Sequence, residues 1–153
     1  MSEGRGLRLS GRTLSRLASV PIGVGAGAVL AVAGWLTPDG SGHSTHTQLG
    51  LDGCTVLSLT GVPCPMCGMT TSFSLMAELR ILEALYVQPF GVVLFLGTLL
   101  VFGVAMAELA APRDRWRRIW RRLLRREGLY TTAFLLCLGL GWAWKFGVMR
   151  GWF

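Results

Sequence analysis

The sequence predicts an all-α polytopic membrane protein with three transmembrane helices, and three observations carry that prediction. Apolar residues make up 52% of the chain and charged residues only 15%, where a soluble domain is nearer a quarter charged. Three long runs, at about 20–36, 87–109 and 129–149, are almost free of charge. The arginines gather in two blocks, Arg5 to Arg16 and Arg113 to Arg126, each just ahead of an apolar run. That placement excludes the partner which a net charge of +7 would otherwise suggest. A nucleic-acid binder needs a polar body beneath its basic face, and this chain has none.

Taken in order, residues 1–19 form a basic cytoplasmic tail. The first run, Val20 to Leu36, would be roughly 25 Å long as a helix, just enough to span with flanking help. A cleaved signal peptide is the rival reading, since Ala31-Val32-Ala33 offers small residues at cleavage spacing. The long basic lead and the glycine-rich run argue against it. Residues 37–86 form a loop that contains the first cysteines and a helix from Met66 to Tyr86, with Met69, Phe73, Met76 and Leu79 at helical spacing. The other two runs follow, separated by the basic segment 110–128, and 150–153 is a short tail. Residues 20–149 thus read as one membrane domain.

Basic residues set the orientation. Four arginines precede the first span and eight lie in 110–128, whereas residues 37–86 hold one, Arg80. Arginine-rich loops stay in the cytoplasm. Both blocks fall on one side of a three-span arrangement, with the N-terminus inside and the cysteine loop outside. Lys145 and Arg150, near the outer end of the third span, are expected to snorkel to the interface.

Within 110–128, Trp116, Ile119, Trp120, Leu123 and Leu124 recur at helical spacing, with Arg117, Arg118, Arg121 and Arg122 opposite. This is the pattern of an amphipathic helix lying in the membrane interface over anionic lipids. Small residues also recur on one face of each span: Gly23, Gly27 and Ala31; Gly103 and Ala107; Gly139, Ala143 and Gly147. Such faces allow close helix packing, within the chain first of all, and alternatively against a membrane partner or a second copy.

The chemistry-bearing stretch is Cys54 followed by Cys64-Pro65-Met66-Cys67-Gly68, a C-x9-C-x2-C spacing. Pro65 suits the first turn of a helix, so the helix is expected to start at the Cys-Pro-Met-Cys motif, where unpaired N–H groups favour thiolates. Four readings stay open. A structural disulfide from Cys54 to Cys64 or Cys67 would be worth about 3 kcal/mol. A redox dithiol has the right spacing without the strand-helix-strand context. A zinc site would take Cys54, Cys64, Cys67 and a histidine, His46 being the candidate beside His43. A local cap with inert thiols is the fourth. Cys137, mid-span in the third run, reads as a small buried apolar residue.

Cys54, Thr60-Gly61-Val62-Pro63-Cys64-Pro65-Met66-Cys67-Gly68-Met69-Thr70 and Gln88-Pro89 together resemble a bacterial membrane family called domain of unknown function 2752 (DUF2752). The resemblance covers roughly residues 50–105. It implies a short multi-span protein of a bacterial inner membrane and adds Pro65, Gly68 and Thr70 to the motif residues. Thr71 stands where many members carry arginine, and Gln88 where they carry asparagine. The family supplies no activity. The expected function is therefore a structural or accessory membrane component, more non-enzymatic than enzymatic, with no required cofactor. The alternative is a thiol–disulfide or zinc-type metal-handling protein using Cys54, Cys64 and Cys67.

Overall fold

The computed structural model describes residues 11–152, without the side chain of Arg12. Arg5, Arg8 and the rest of the tail before Gly11 lie outside the described residues, as does Phe153. The described chain is helical throughout: α1 Gly11–Trp35, a 3-10 turn Thr45–Leu49, α2 Thr55–Thr60, α3 Met69–Ala77, α4 Ile81–Val87, α5 Pro89–Ala110, α6 Arg115–Leu124 and α7 Glu127–Met149. Within these, Thr13–Trp35, Pro89–Ala110 and Glu127–Met149 are long and apolar enough to cross a membrane.

α1 and α5 pack along their lengths. Gly23 and Gly27 make that possible. A Cβ on Gly23 would stand 2.8 Å from Met106, and one on Gly27 would stand 3.0 Å from Phe102. The predicted small face of α1 is thus used inside the chain. Gly103 and Gly139 face open space. α7 is attached differently: from Glu127 to Cys137 every residue is exposed, and only Gly141, Lys145 and Gly147 are buried. Cys137 is accordingly on the outer face of α7 and not among packed side chains, because that half of the helix packs sparsely, through contacts such as that of Phe134 with Phe90, 5.3 Å between ring centroids.

α1 starts earlier than Val20 and runs through Pro21. Proline inside a helix removes a hydrogen bond and disfavours its continuation. Here the first turns are held from outside. Ser15 donates to Glu108 (2.7 Å), Arg16 donates to the Leu109 carbonyl (3.0 Å), and the Trp116 indole donates to Ser19 (2.8 Å). No local pattern in the sequence reveals those bonds, which come from residues more than ninety positions away.

The expected helix from Met66 to Tyr86 is instead two helices, α3 and α4. Leu79 adopts φ +62 between them, while the Arg80 N–H returns to the Leu75 carbonyl at 2.9 Å. This is a left-handed helix end with leucine where glycine is usual. The break turns α4 so that Ala84, Val92 and Phe95 close a small core with Ala33, Leu75 and Met76. Phe73 meets Phe95 edge to face, 5.4 Å between ring centroids.

These contacts give the molecule two ends. The arginine end joins the start of α1, the end of α5 and α6. The cysteine end joins the end of α1, α3, α4, the start of α5 and the end of α7.

Candidate functional site

The cysteine end is built on a buried polar face of α3, where Thr71, Ser72 and Ser74 are all inaccessible. Each has a partner, as buried hydroxyls require. Thr71 bonds Thr45 at 2.8 Å, Ser72 donates to the carbonyls of Ala84 and Gln88 at 3.3 and 3.2 Å, and Ser74 donates to the Leu36 carbonyl. Gly91 lets Ser72 approach α5, since a Cβ there would lie 2.7 Å from its hydroxyl.

The Cys-Pro-Met-Cys motif forms the turn that leads into α3. The Cys67 N–H bonds the Cys64 carbonyl at 2.9 Å, and Met69 bonds Met66 at 3.1 Å. Helical geometry begins at Met69, after Gly68 at φ +85. Pro65 therefore shapes this turn and does not open the helix. Only glycine fits at position 68: a Cβ would stand 2.7 Å from the Gly42 carbonyl oxygen and 3.1 Å from the Lys145 nitrogen. The turn is clamped from the α4–α5 junction and from α7. Gln88 donates to the Pro65 carbonyl (3.1 Å), and the Trp142 indole donates to the Pro63 carbonyl (2.8 Å).

The sulfurs of Cys54, Cys64 and Cys67 lie within 4.8 Å of one another. The Cys64 and Cys67 sulfurs are 3.4 Å apart, and all three cysteines are unbridged. Cys54 arrives from the N-cap of α2, ten residues before Cys64 in sequence. Their environments differ. The Leu57 N–H, in the first turn of the helix that Cys54 begins, favours its thiolate and brings the thiol down to about 7. Burial, reinforced by the thiols of Cys54 and Cys64, pushes Cys67 up to about 12. The trio thus pairs an accessible, acidic thiol with a buried, reluctant one.

The histidines stand apart from this cluster. His46 donates from Nε2 to the Asp52 carbonyl at 3.1 Å, and His43 from Nδ1 to the Ser41 carbonyl at 2.8 Å. Among the described residues, no histidine or carboxylate joins the three sulfurs. His43 and Asp52 line the cleft of about 460 Å³ beside Cys54. Thr70 is half-buried and lines an apolar groove between α1 and α3.

Residues 54–102 match the model of a family described as protein of unknown function (DUF2752). The match bears out the resemblance carried by the cysteine motif. No curated protein and no solved structure matches the chain. The DUF2752 segment contains all three clustered cysteines, and its Thr71 and Gln88 are both buried and hydrogen-bonded.

Two residues next to the motif lie outside that segment; one was read differently from sequence and the other, Trp142, was not singled out there. Lys145, expected to snorkel, is instead 2% exposed and donates to the Gly42 carbonyl at 2.8 Å. Trp142 holds Pro63. A lysine late in an apolar run has the same local pattern whether it turns outward or inward, so only the packing of α7 distinguishes the two.

Proposed function

We propose that the protein is an accessory membrane component whose extracytoplasmic centre holds a thiophilic divalent ion of the zinc type on Cys54, Cys64 and Cys67. The observation that carries this reading is the convergence of three sulfurs within 4.8 Å. Zinc–thiolate bonds of about 2.3 Å in tetrahedral geometry put sulfurs about 3.8 Å apart, so small side-chain rotations suffice. Cys54 supplies a thiolate near neutral pH, and an ion bound there displaces the protons of the other two. Three protein ligands leave a fourth position open. Structural zinc sites are normally closed by four ligands, while sites that act on something keep one free. Metal handling therefore fits better than a brace. His46, bonded to Asp52, is not part of the proposed ligand set.

The 3.4 Å approach of the Cys64 and Cys67 sulfurs supports a second reading, a thiol–disulfide pair. The full chain, purified in nanodiscs under reducing conditions and loaded with zinc, separates the two. The metal reading expects about one ion per chain, lost in Cys67→Ser. No retained zinc, together with a reversible two-hydrogen mass loss on oxidation, would favour the dithiol and overturn the metal.

We place the chain in a bacterial inner membrane with the N-terminus and α6 in the cytoplasm and the cysteine end outside. Support comes from the arginine blocks, since the start of α1 and the Arg115–Leu124 helix meet at one end. Maleimide labelling of Arg118→Cys from outside intact cells, with Ser44→Cys protected, would reverse this orientation.

A further inference from the structure

We propose that Lys145 is the internal counter-charge of the three-cysteine site. This rests on the metal-site reading above and asks more of it. Lys145 is 2% exposed and has one hydrogen-bond partner, the neutral Gly42 carbonyl. A buried ammonium without an opposite charge is expensive to hold. Among the described residues, the ion pairs join Arg80 to Glu78 and Glu83, and Arg115 to Glu108; none includes Lys145. Glu83 lines the same cleft as Lys145, but its carboxylate is held by Arg80 at 2.5 Å.

The neighbour left to supply negative charge is the cysteine turn. The lysine nitrogen would be 3.1 Å from a Cβ on Gly68, the residue after Cys67. A divalent ion on three thiolates leaves one negative charge, which one buried ammonium neutralises. A monovalent ion leaves two, which the same ammonium stabilises at least as strongly. The clamp formed by Gln88 on Pro65 and Trp142 on Pro63 fixes the turn against the end of α7 that carries Lys145.

The test uses the full chain in nanodiscs, with cobalt(II) as the divalent probe, read by its thiolate charge-transfer absorption, and copper(I) as the monovalent one. Lys145→Gln keeps a donor for Gly42 and removes the charge. It is expected to weaken cobalt(II) binding about tenfold or more, with copper(I) binding weakened at least as much and the metal-free thermal midpoint little changed. Glu83→Gln is expected to leave both affinities unaltered. Equal cobalt(II) binding by wild type and Lys145→Gln would overturn the counter-charge while leaving the metal site standing. A metal-free midpoint lowered as far as that of a destabilised variant would make Lys145 a structural residue and also overturn it. Failure of the wild type to bind cobalt(II) would remove the metal site itself.

Discussion

At the cysteine end, the buried polar groups are mostly neutral hydroxyls and amides, each making one or two bonds to nearby neutral groups. At the arginine end a single carboxylate does most of the joining. Glu108, fully buried, accepts from Ser15, from the backbone N–H groups of Arg113, Asp114 and Arg115, and from the Arg115 guanidinium at 3.0 Å. Those amide bonds hold the turn in which Asp114 adopts φ +53, and so fix where α6 begins. A network of weak neutral bonds tolerates the loss of any one member. A hub does not, because its removal leaves several donors unpaired together.

The difference predicts unequal responses to single substitutions. Glu108→Ala should have the largest effect, about 3 kcal/mol, with release of α6 from α1. Ser72→Ala, at the other end, should cost about 1 kcal/mol. Unfolding by denaturing detergent, with proteolysis in the 111–126 segment as a second readout, would measure both. Equal losses would erase the distinction between hub and network.

Backbone strain gives a sharper comparison within the cysteine end. Gly61 and Gly68 have similar conformations, φ +67 and +85. A Cβ on Gly61 meets nothing within 4 Å, while one on Gly68 collides with the Gly42 carbonyl. Gly61→Ala should cost about 1 kcal/mol from conformation alone. Gly68→Ala should cost about 2 kcal/mol or more and displace the Cys67 turn, so that zinc retention falls as well. Equal stability and equal zinc content in the two variants would mean that the contact between Gly68 and the 42–43 loop is not tight in solution.

The thiols should reveal themselves in the metal-free chain by pH. The ordinary thiol value is 9.0, and Cys54 lies at about 7 in the folded protein. Its contribution to stability is complete above about 9 and fades as pH falls through about 7. Cys67, at about 12, behaves oppositely: its contribution is complete below about 9 and is lost as pH rises toward 12. The thermal midpoint should therefore climb between pH 7 and 9 and decline above. At pH 7.5 iodoacetamide should modify Cys54 first and Cys67 last, as peptide mass spectrometry would report. Reversed order would contradict the assignment of the acidic thiol to Cys54.

Much of the fold was legible because it rests on composition and periodicity. The three apolar runs and the amphipathic stripe of 113–126 are local patterns that lipid imposes, and each became a helix. The Cys-Pro-Met-Cys motif was legible as a special turn. Its partners were less so. Cys54 joins Cys64 and Cys67 through the folding of residues 55–63, and spacing alone left four uses for the three thiols open. The inward turn of Lys145, the passage of α1 through Pro21 and the break at Leu79 all depend on residues distant in the chain. Glu108 is the clearest case: a lone glutamate near the end of an apolar run says nothing of the five donors that converge on it.

The smallest expected effect concerns α6, which the Glu108 hub positions without burying. Trp116 is half-buried and tied to Ser19, whereas Trp120 is 64% exposed beside the exposed Arg117, Arg118, Arg121 and Arg122. If α6 lies in the interface, anionic headgroups should attract these arginines, at about 1 kcal/mol for each one near the surface, and Trp120 should enter the headgroup region. Difference spectra between wild type and Trp120→Phe would isolate its fluorescence in nanodiscs. The Trp120 emission should shift to shorter wavelength with anionic lipid, and high salt should reverse part of the shift. Trp116, already enclosed, should respond little in the matching Trp116→Phe experiment. A Trp120 spectrum typical of free water in both lipids would show that the arginine face holds α6 away from the bilayer and leaves the hub as its sole anchor.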